Sequence, residues 1–189
     1  MHPSAWKENH VFARWLVNKV KPNVTVDLGV DWGHSTLCWA SAKVGKVYGI
    51  DTWEPNSYST VTTGNNYETF RENFKVFAEH GLNNIELIQS DHRVVEAKWD
   101  KKIDIIHFDI LHDYLGVADE YKLWKKHVNV DGVYVFHDTK SSPDGVGRFF
   151  KQLPGPKAWF DNQFGLGVMS NRAGLIDTIV DKFEAAKHI

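Results

Sequence analysis

Cysteine is almost missing from this 189-residue chain: Cys38 stands alone. That excludes an intramolecular disulfide and any multi-cysteine zinc centre, and it fits a reducing, cytoplasmic setting. No apolar run approaches the roughly 18 residues that a membrane-spanning helix needs. The stretch from Met1 to Glu8 lacks the charged-then-apolar plan of an export leader. An excess of one charge is also lacking. Lysine and arginine total 22 against 24 aspartates and glutamates, for a net charge of −2, so no basic field points to nucleic acid or an anionic membrane. Internal repeats, low-complexity tracts and linkers are absent too.

Hydrophobic residues at 42% and charged residues at 24% give the balance of an ordinary globular protein. At this length one domain can bury a core without staples. Aromatics are abundant, with eight tryptophans. Most belong in a core, but the stock also suits a pocket for flat or sugar-like ligands.

Short β-rich runs alternate with helix-period segments, the pattern of βαβ units and a mostly parallel sheet. A helix is predicted from Ser4, as cap, to Val20, with Val11, Trp15 and Leu16 on one face. Strands follow at Val24–Leu28 and Lys46–Ile50, with a helix from Ser35 through Ala42 between them. After a polar loop from Thr52 to Asn65, Tyr67, Phe70, Phe74, Phe77 and Ala78 mark a helix that Gly81 stops. Ile85–Ile88 and Ile103–Phe108 are the third and fourth strands, and Tyr114, Val117, Ala118, Tyr121, Trp124 and Val128 mark another helix. Asp131-Gly132 is read as a turn into a fifth strand, Val133–Phe136. Beyond a short helix near Val146–Gln152, two strands near Ala158–Phe160 and Leu166–Ser170 make an antiparallel edge hairpin. A last helix runs from Leu175 to Ala186. The expected fold is α/β: a Rossmann-like three-layer sandwich around a mostly parallel seven-stranded sheet.

Ligands of open α/β sheets bind beyond the carboxyl ends of the strands. Acids stand at all five of the first strand ends: Asp27, Asp51, Asp91 within Ser90-Asp91-His92, Asp109, and Asp138 after His137. Strand ends meet solvent and attract polar residues anyway, but five acids exceed that expectation. After the first strand, Gly29 and Gly33 let the backbone turn sharply and approach a ligand. Ser35 and Thr36 are placed to cap the next helix or to offer hydroxyls. A dinucleotide fingerprint needs G-x-G-x-x-G, whereas Asp31 and His34 fill its second and third glycine positions. The spacing instead suits a cofactor without a pyrophosphate, whose cationic amino-acid end meets Asp27. Asp51 is placed for ribose hydroxyls and Asp91 for the exocyclic amine of an adenine.

This loop resembles motif I of class I S-adenosylmethionine methyltransferases. More narrowly, the chain is similar to a family often encoded beside glycosyltransferases, with relatives among antibiotic and sugar O-methyltransferases. The segment Val47-Tyr48-Gly49-Ile50-Asp51-Thr52-Trp53-Glu54 resembles V-Y-G-V-D-T-W-E. The stretch from Ile106 through Asp109, His112, Tyr114 and Val117 to Trp124 resembles I-H-I-D-G-x-H-x-Y-x-x-V. Residues Asp131 to Thr139 resemble G-G-V-x-x-F-H-D-T, and Phe164–Val168 the family's final strand. Ile110 and Asp131 depart from it where the family has glycine, and the loop from Pro55 to Asn66 does not follow its wording.

The resemblance implies one methyltransferase domain over 1–189, with an N-terminal helix in 1–22, a cofactor-binding core over 23–170 and a C-terminal helix in 171–189. It implies S-adenosyl-L-methionine as cofactor, held by Asp27, Gly29, Gly33, Ser35 and Thr36 in the first loop. Asp51, Thr52, Trp53, Ser90, Asp91, His92 and Asp109 complete the binding set. Trp53 either stacks on adenine, walls the acceptor pocket or packs the loop. His112, three residues past Asp109, matches the general base of some sugar O-methyltransferases, the alternative being a packing or capping histidine. Asp109, His137 and Asp138 are the catalytic neighbours and a candidate set for Mg²⁺ or another divalent cation. His107, inside the fourth strand, reads as core. The implied partner is a small-molecule or saccharide acceptor, with neither nucleic acid nor membrane, and homo-oligomerisation is left open. A nicotinamide oxidoreductase lacks its glycine spacing here. A metal-dependent hydrolase on Asp109, His112, His137 and Asp138 leaves the glycine loop without a purpose, and a catalytically silent cofactor-binding module is the third rival.

Overall fold

Strands that are apolar on both faces need cover on both, and parallel neighbours need a crossover of roughly a dozen residues or more. The computed structural model describes residues 6–54, 71–72, 74–75, 78–79, 81–162 and 164–188. The chain divides into two compact units, Met1–Trp99 and Asp100–Ile189.

In the first unit, β1 (Val24–Leu28), β2 (Lys46–Asp51) and β3 (Ile85–Gln89) run parallel in the order β3-β2-β1. The register pairs Leu28 with Ile50 and Asp51 with Gln89, so the three carboxyl ends finish side by side. Helix α1 (His10–Val20) follows a 3-10 turn at Lys7–Asn9. It buries Phe12, Ala13, Leu16, Val17 and Val20. This corrects the expected face, since Val11 is 69% exposed. The 12-13-16-17-20 spacing makes the broader apolar stripe and therefore turns inward. The expected cap, Ser4, lies outside the described residues. Helix α2 (His34–Ala40) joins β1 to β2, and α3 (His92–Glu96) follows β3. Most of the expected 67–78 helix and the loop before it lie outside the described residues, although residues 71–72, 74–75 and 78–79 are helical.

In the second unit, β4 (Ile103–Phe108) and β5 (Val128–His137) are parallel, with α4 (Tyr114–Trp124) as their crossover. Asp131-Gly132, expected as a turn, lies inside β5, where the pairing with β4 slips between Ile103 and Ile105. A bulge absorbs the residues that a turn would have used. A π-helical turn at Pro143–Gly147 leads into α5 (Arg148–Gln152). Then β6 (Lys157–Phe160) and β7 (Leu166–Ser170) form the expected antiparallel hairpin, with β7 antiparallel to β5. Helix α6 (Leu175–Phe183) stops at Glu184, which adopts a left-handed φ of 53°. The chain then continues as β8 (Ala186–His188), antiparallel to β6, rather than as helix. All seven expected strands are present among the described residues, and β8 is an eighth. The core of this unit stacks Phe108 on Phe136 at 4.9 Å, with Phe149 and Phe150 against Phe136. Among the described residues, no helix is long and apolar enough to cross a membrane.

Lys157 explains how the short helix α5 ends. Its buried ammonium donates to the carbonyls of Leu153 at 2.5 Å and Lys151 at 2.7 Å, and at 3.4 Å to that of Phe150, which also accepts the Leu153 N–H at 3.2 Å; carbonyls at a helix terminus need such partners. Lys157→Met keeps the stem and removes the ammonium donor from the Leu153 and Lys151 carbonyls. The expected loss is about 1–3 kcal/mol, read as a lower urea midpoint at constant slope. An unchanged midpoint would show that water replaces the ammonium without cost.

Candidate active site

The first unit holds the glycine loop. Gly29 and Gly33 take φ values of 90° and 84°, and Gly33 donates its N–H to the Val30 carbonyl at 2.7 Å, closing a tight turn. Asp27 lies wholly inside, and its Oδ2 accepts the Ser35 and Thr36 hydroxyls at 2.8 and 2.5 Å. Ser35 and Thr36 thus turn inward and lock the start of α2 to the end of β1, rather than facing outward to a ligand. The Asp27 carboxylate has no exposed surface in this arrangement.

Asp51 stitches the loop from the other side. One oxygen accepts the N–H groups of Val30 at 2.8 Å and Asp31 at 2.9 Å, and the other accepts that of Trp53 at 2.8 Å. A carboxylate offers about four acceptor positions, so capacity is left for a ligand hydroxyl. Trp53 is buried against Val30, Leu37 and Leu87, and its ring N–H donates to the Asp31 carbonyl at 3.0 Å. These are the contacts of loop packing. Thr52 accepts the Glu54 N–H at 3.2 Å, and Ser90 donates its N–H to the Asp51 carbonyl at 2.9 Å. Asp91 caps α3 through the Arg93 N–H at 2.7 Å and keeps a half-exposed side chain. His92 is buried, and burial followed by the neighbouring Arg93 charge lowers its pKa below the ordinary histidine value. Cys38 is equally inward: burial first, then the Asp27 charge, pushes its thiol up to about 12, so it is no nucleophile at neutral pH.

The second unit holds a four-membered cluster at the carboxyl ends of β4 and β5. His112 Nε2 stands 3.1 Å from Asp138 Oδ2 and 3.6 Å from Asp109 Oδ1. His137 Nδ1 stands 3.3 Å from Asp109 Oδ1 and 3.2 Å from Asp138 Oδ2. All four residues expected there are brought together. His137 is buried, whereas His112 keeps 28% of its side-chain surface exposed, enough to meet a second molecule. Burial pulls His137 down, but the Asp109 charge, with Asp138 behind it, raises it to about 10. Burial likewise opposes the charge on His112. Asp109, together with the nearer Asp138, still lifts its pKa above the ordinary value. For Asp109 the balance runs the other way. Burial pushes its carboxyl up, and the His137 charge and the two imidazole hydrogen bonds overcome this and hold it below the usual carboxylate range. His107 is buried in β4, its ring 6.3 Å from that of His137, a core residue as expected.

Sequence reasoning missed the residues behind the cluster. Glu120 is wholly buried and accepts the Leu111 N–H at 3.0 Å. Its signal was an acid in the apolar stripe of α4, between Val117 and Trp124. Ser141 and Ser142 hydrogen-bond to Asp138 and to the His112 backbone, and nothing in their spacing announced it.

These shifts set a pH dependence. Raised histidine pKa values stabilise the fold fully below the unfolded value near 6.5 and cease to do so as pH climbs through the folded values. For His137 that window runs up to about 10. The depressed Asp109 contributes above its unfolded value of roughly 4 and is lost on the acid side. In metal-stripped protein the melting temperature should therefore fall between about pH 6.5 and 10. His137→Gln should flatten that slope, and equal slopes in the two proteins would refute the linkage.

Comparison with known proteins places the chain. It is 24% identical over 185 residues to the Sinorhizobium fredii protein y4gI, a match covering 88% of this chain and 19% of that protein. The chain thus spans about a fifth of the length of this curated relative. Among solved structures it is similar to an O-methyltransferase from Bacillus cereus in complex with S-adenosylhomocysteine, at TM-score 0.68 and 13% identity, covering 90% of this chain and 83% of that one. It is also similar to the O-methyltransferase TomG of Streptomyces achromogenes, of tomaymycin synthesis, in complex with S-adenosylmethionine. There the TM-score is 0.66 at 15% identity, over 89% of this chain and 81% of the other. These likenesses establish the shared Rossmann-like fold, and residues 26–139 match the family described as a methyltransferase domain. The chain belongs to that methyltransferase-domain family.

Proposed function

We propose that the chain acts as a single S-adenosylmethionine-dependent O-methyltransferase domain on a sugar or other small hydroxylated acceptor, in the cytoplasm. The observation that carries the chemistry is the partly exposed His112 imidazole, held by two carboxylates at the ends of β4 and β5. Bound cofactor would supply an electrophilic sulfonium methyl group, with the thioether of S-adenosylhomocysteine as the leaving group when the acceptor oxygen takes the methyl. The chain's own part is to position that oxygen and take its proton. Asp138 and Asp109 orient His112 and stabilise the imidazolium that forms, the division of labour of a base and its orienting acid. The raised pKa of His112 strengthens it as a proton acceptor, so activity rises with pH as the imidazole becomes neutral.

The glycine loop fits the cofactor. Positive φ at Gly29 and Gly33 opens the backbone, and Asp51 keeps acceptor capacity at the end of β2 for ribose hydroxyls. The cluster also fits a divalent cation. One donor atom each from Asp109, His137 and Asp138 lies within 4.8 Å of the others. Two oxygens and an imidazole nitrogen suit Mn²⁺ or a later transition ion better than Mg²⁺. Such an ion would acidify the acceptor hydroxyl.

S-adenosylhomocysteine should bind at low-micromolar affinity, roughly −8 kcal/mol. Asp51→Ala should weaken it by about 1–3 kcal/mol, because the loop N–H groups lose their acceptor with the ligand's. Calorimetry decides: binding of NADH in place of adenosylhomocysteine would end the assignment, and binding of adenosylhomocysteine excludes the hydrolase.

His112→Ala should lower kcat by about 10²–10⁴-fold while adenosylhomocysteine affinity stays as in the wild type. A labelled methyl group, followed into a panel of sugars and phenols, measures the first quantity and calorimetry the second. A variant with wild-type kcat would make His112 a packing residue.

A further inference from the structure

At the end of β5 the chain turns back on itself. Asp138 takes a left-handed φ of 60°, which aspartate tolerates better than most side chains. The turn closes when Ser142 donates its N–H to the Asp138 carbonyl at 2.9 Å. It delivers two consecutive hydroxyls to the cluster. Ser141 Oγ donates to Asp138 Oδ1, while Asp138 Oδ2 faces both imidazoles, at 3.1 Å to His112 and 3.2 Å to His137. The two oxygens of this carboxylate therefore have separate partners. Without the first partner, rotation about the soft terminal torsion leaves the plane of the carboxylate less firmly set against the imidazoles.

The second hydroxyl works on the opposite member of the pair. Ser142 Oγ donates to the His112 carbonyl at 2.6 Å. Gly145 closes over that carbonyl so tightly that a Cβ there would stand 1.9 Å from it. On the other flank, the Leu111 N–H is tied to the buried Glu120 at 3.0 Å. The backbone of His112 is thus held from α4 on one side and from the turn after β5 on the other.

We propose that Ser141 and Ser142 are positioning residues that jointly set the distance between His112 and Asp138. Ser141 orients the carboxylate and Ser142 pins the backbone that carries the imidazole. The pair links the end of β5 to the loop after β4 without touching the reacting atoms. The catalytic consequence rests on the reading of His112 as base, whereas the geometric claim stands on the hydrogen bonds.

Thr and Val have nearly the same shape and differ in the hydroxyl. Ser141→Thr against Ser141→Val, and Ser142→Thr against Ser142→Val, therefore separate hydrogen bonding from packing. The readout is the imidazole ring resonances of His112 and His137 in the full chain at one fixed pH, assigned with His112→Gln and His137→Gln. Both Thr variants should keep the wild-type positions. Ser142→Val should move the His112 signals alone, and Ser141→Val those of both rings. Methyl transfer should fall about 10²-fold in the Val variants, the scale of a small misplacement of a reacting group. Adenosylhomocysteine affinity should not change. A Thr variant that behaves like its Val counterpart, unfolding included, overturns the proposal, as do Val variants with wild-type ring signals. Failure of the wild-type protein to bind adenosylhomocysteine would instead sink the methyltransferase reading, and the ring signals would still judge the serines.

Discussion

A carboxylate carried into the interior at the end of a parallel strand loses its water, at a cost of roughly several kcal/mol unless donors replace it. That constraint recurs along this chain and shapes each loop it touches. Asp27 recruits the hydroxyls of Ser35 and Thr36, which fixes how α2 leaves β1. Asp51 recruits three backbone N–H groups, which fixes the path of the glycine loop and of Trp53. Asp91, more exposed, needs less and takes the first turn of α3. Asp109 and Asp138 recruit two imidazoles and a serine hydroxyl. Each acid organises its loop because its charge must be answered.

The two units answer that need with different donors, and the difference divides their chemistry. In the first, the partners are hydroxyls and backbone N–H groups, which do not titrate near neutral pH. The result is a loop held by fixed donors on two carboxylates. In the second, the partners are imidazoles, which do titrate there. Charge balance in that cluster is therefore adjustable: a proton, a cation or an acceptor hydroxyl each changes what the carboxylates face.

Much of this was legible beforehand. Strand periods, the glycine loop and the five strand-end acids follow from local spacing, and so does the family resemblance, because such features depend on residues close in sequence. Departures came where local rules compete. Asp131-Gly132 reads as a turn by composition, yet pairing with β4 draws it into a bulged strand. Residues after Phe183 continue a helical pattern, yet the open edge of β6 takes Ala186–His188 as a strand. The Val11 face of α1 lost to a broader apolar stripe that fits the core better.

The sequence by itself determined the class of fold and the identity of the acids and imidazoles, since alternation and motif spacing are one-dimensional properties. Tertiary structure decided which way each of them faces. It turned Ser35 and Thr36 inward, because a wholly buried Asp27 outbids solvent for their hydroxyls. It gave Trp53 to the loop, because Val30, Leu37 and Leu87 meet there. It also brought Ser142 to His112 across 30 residues of chain. Hydrogen-bond partners so distant along the chain leave no mark on either segment's own composition, so only the folded backbone could reveal them.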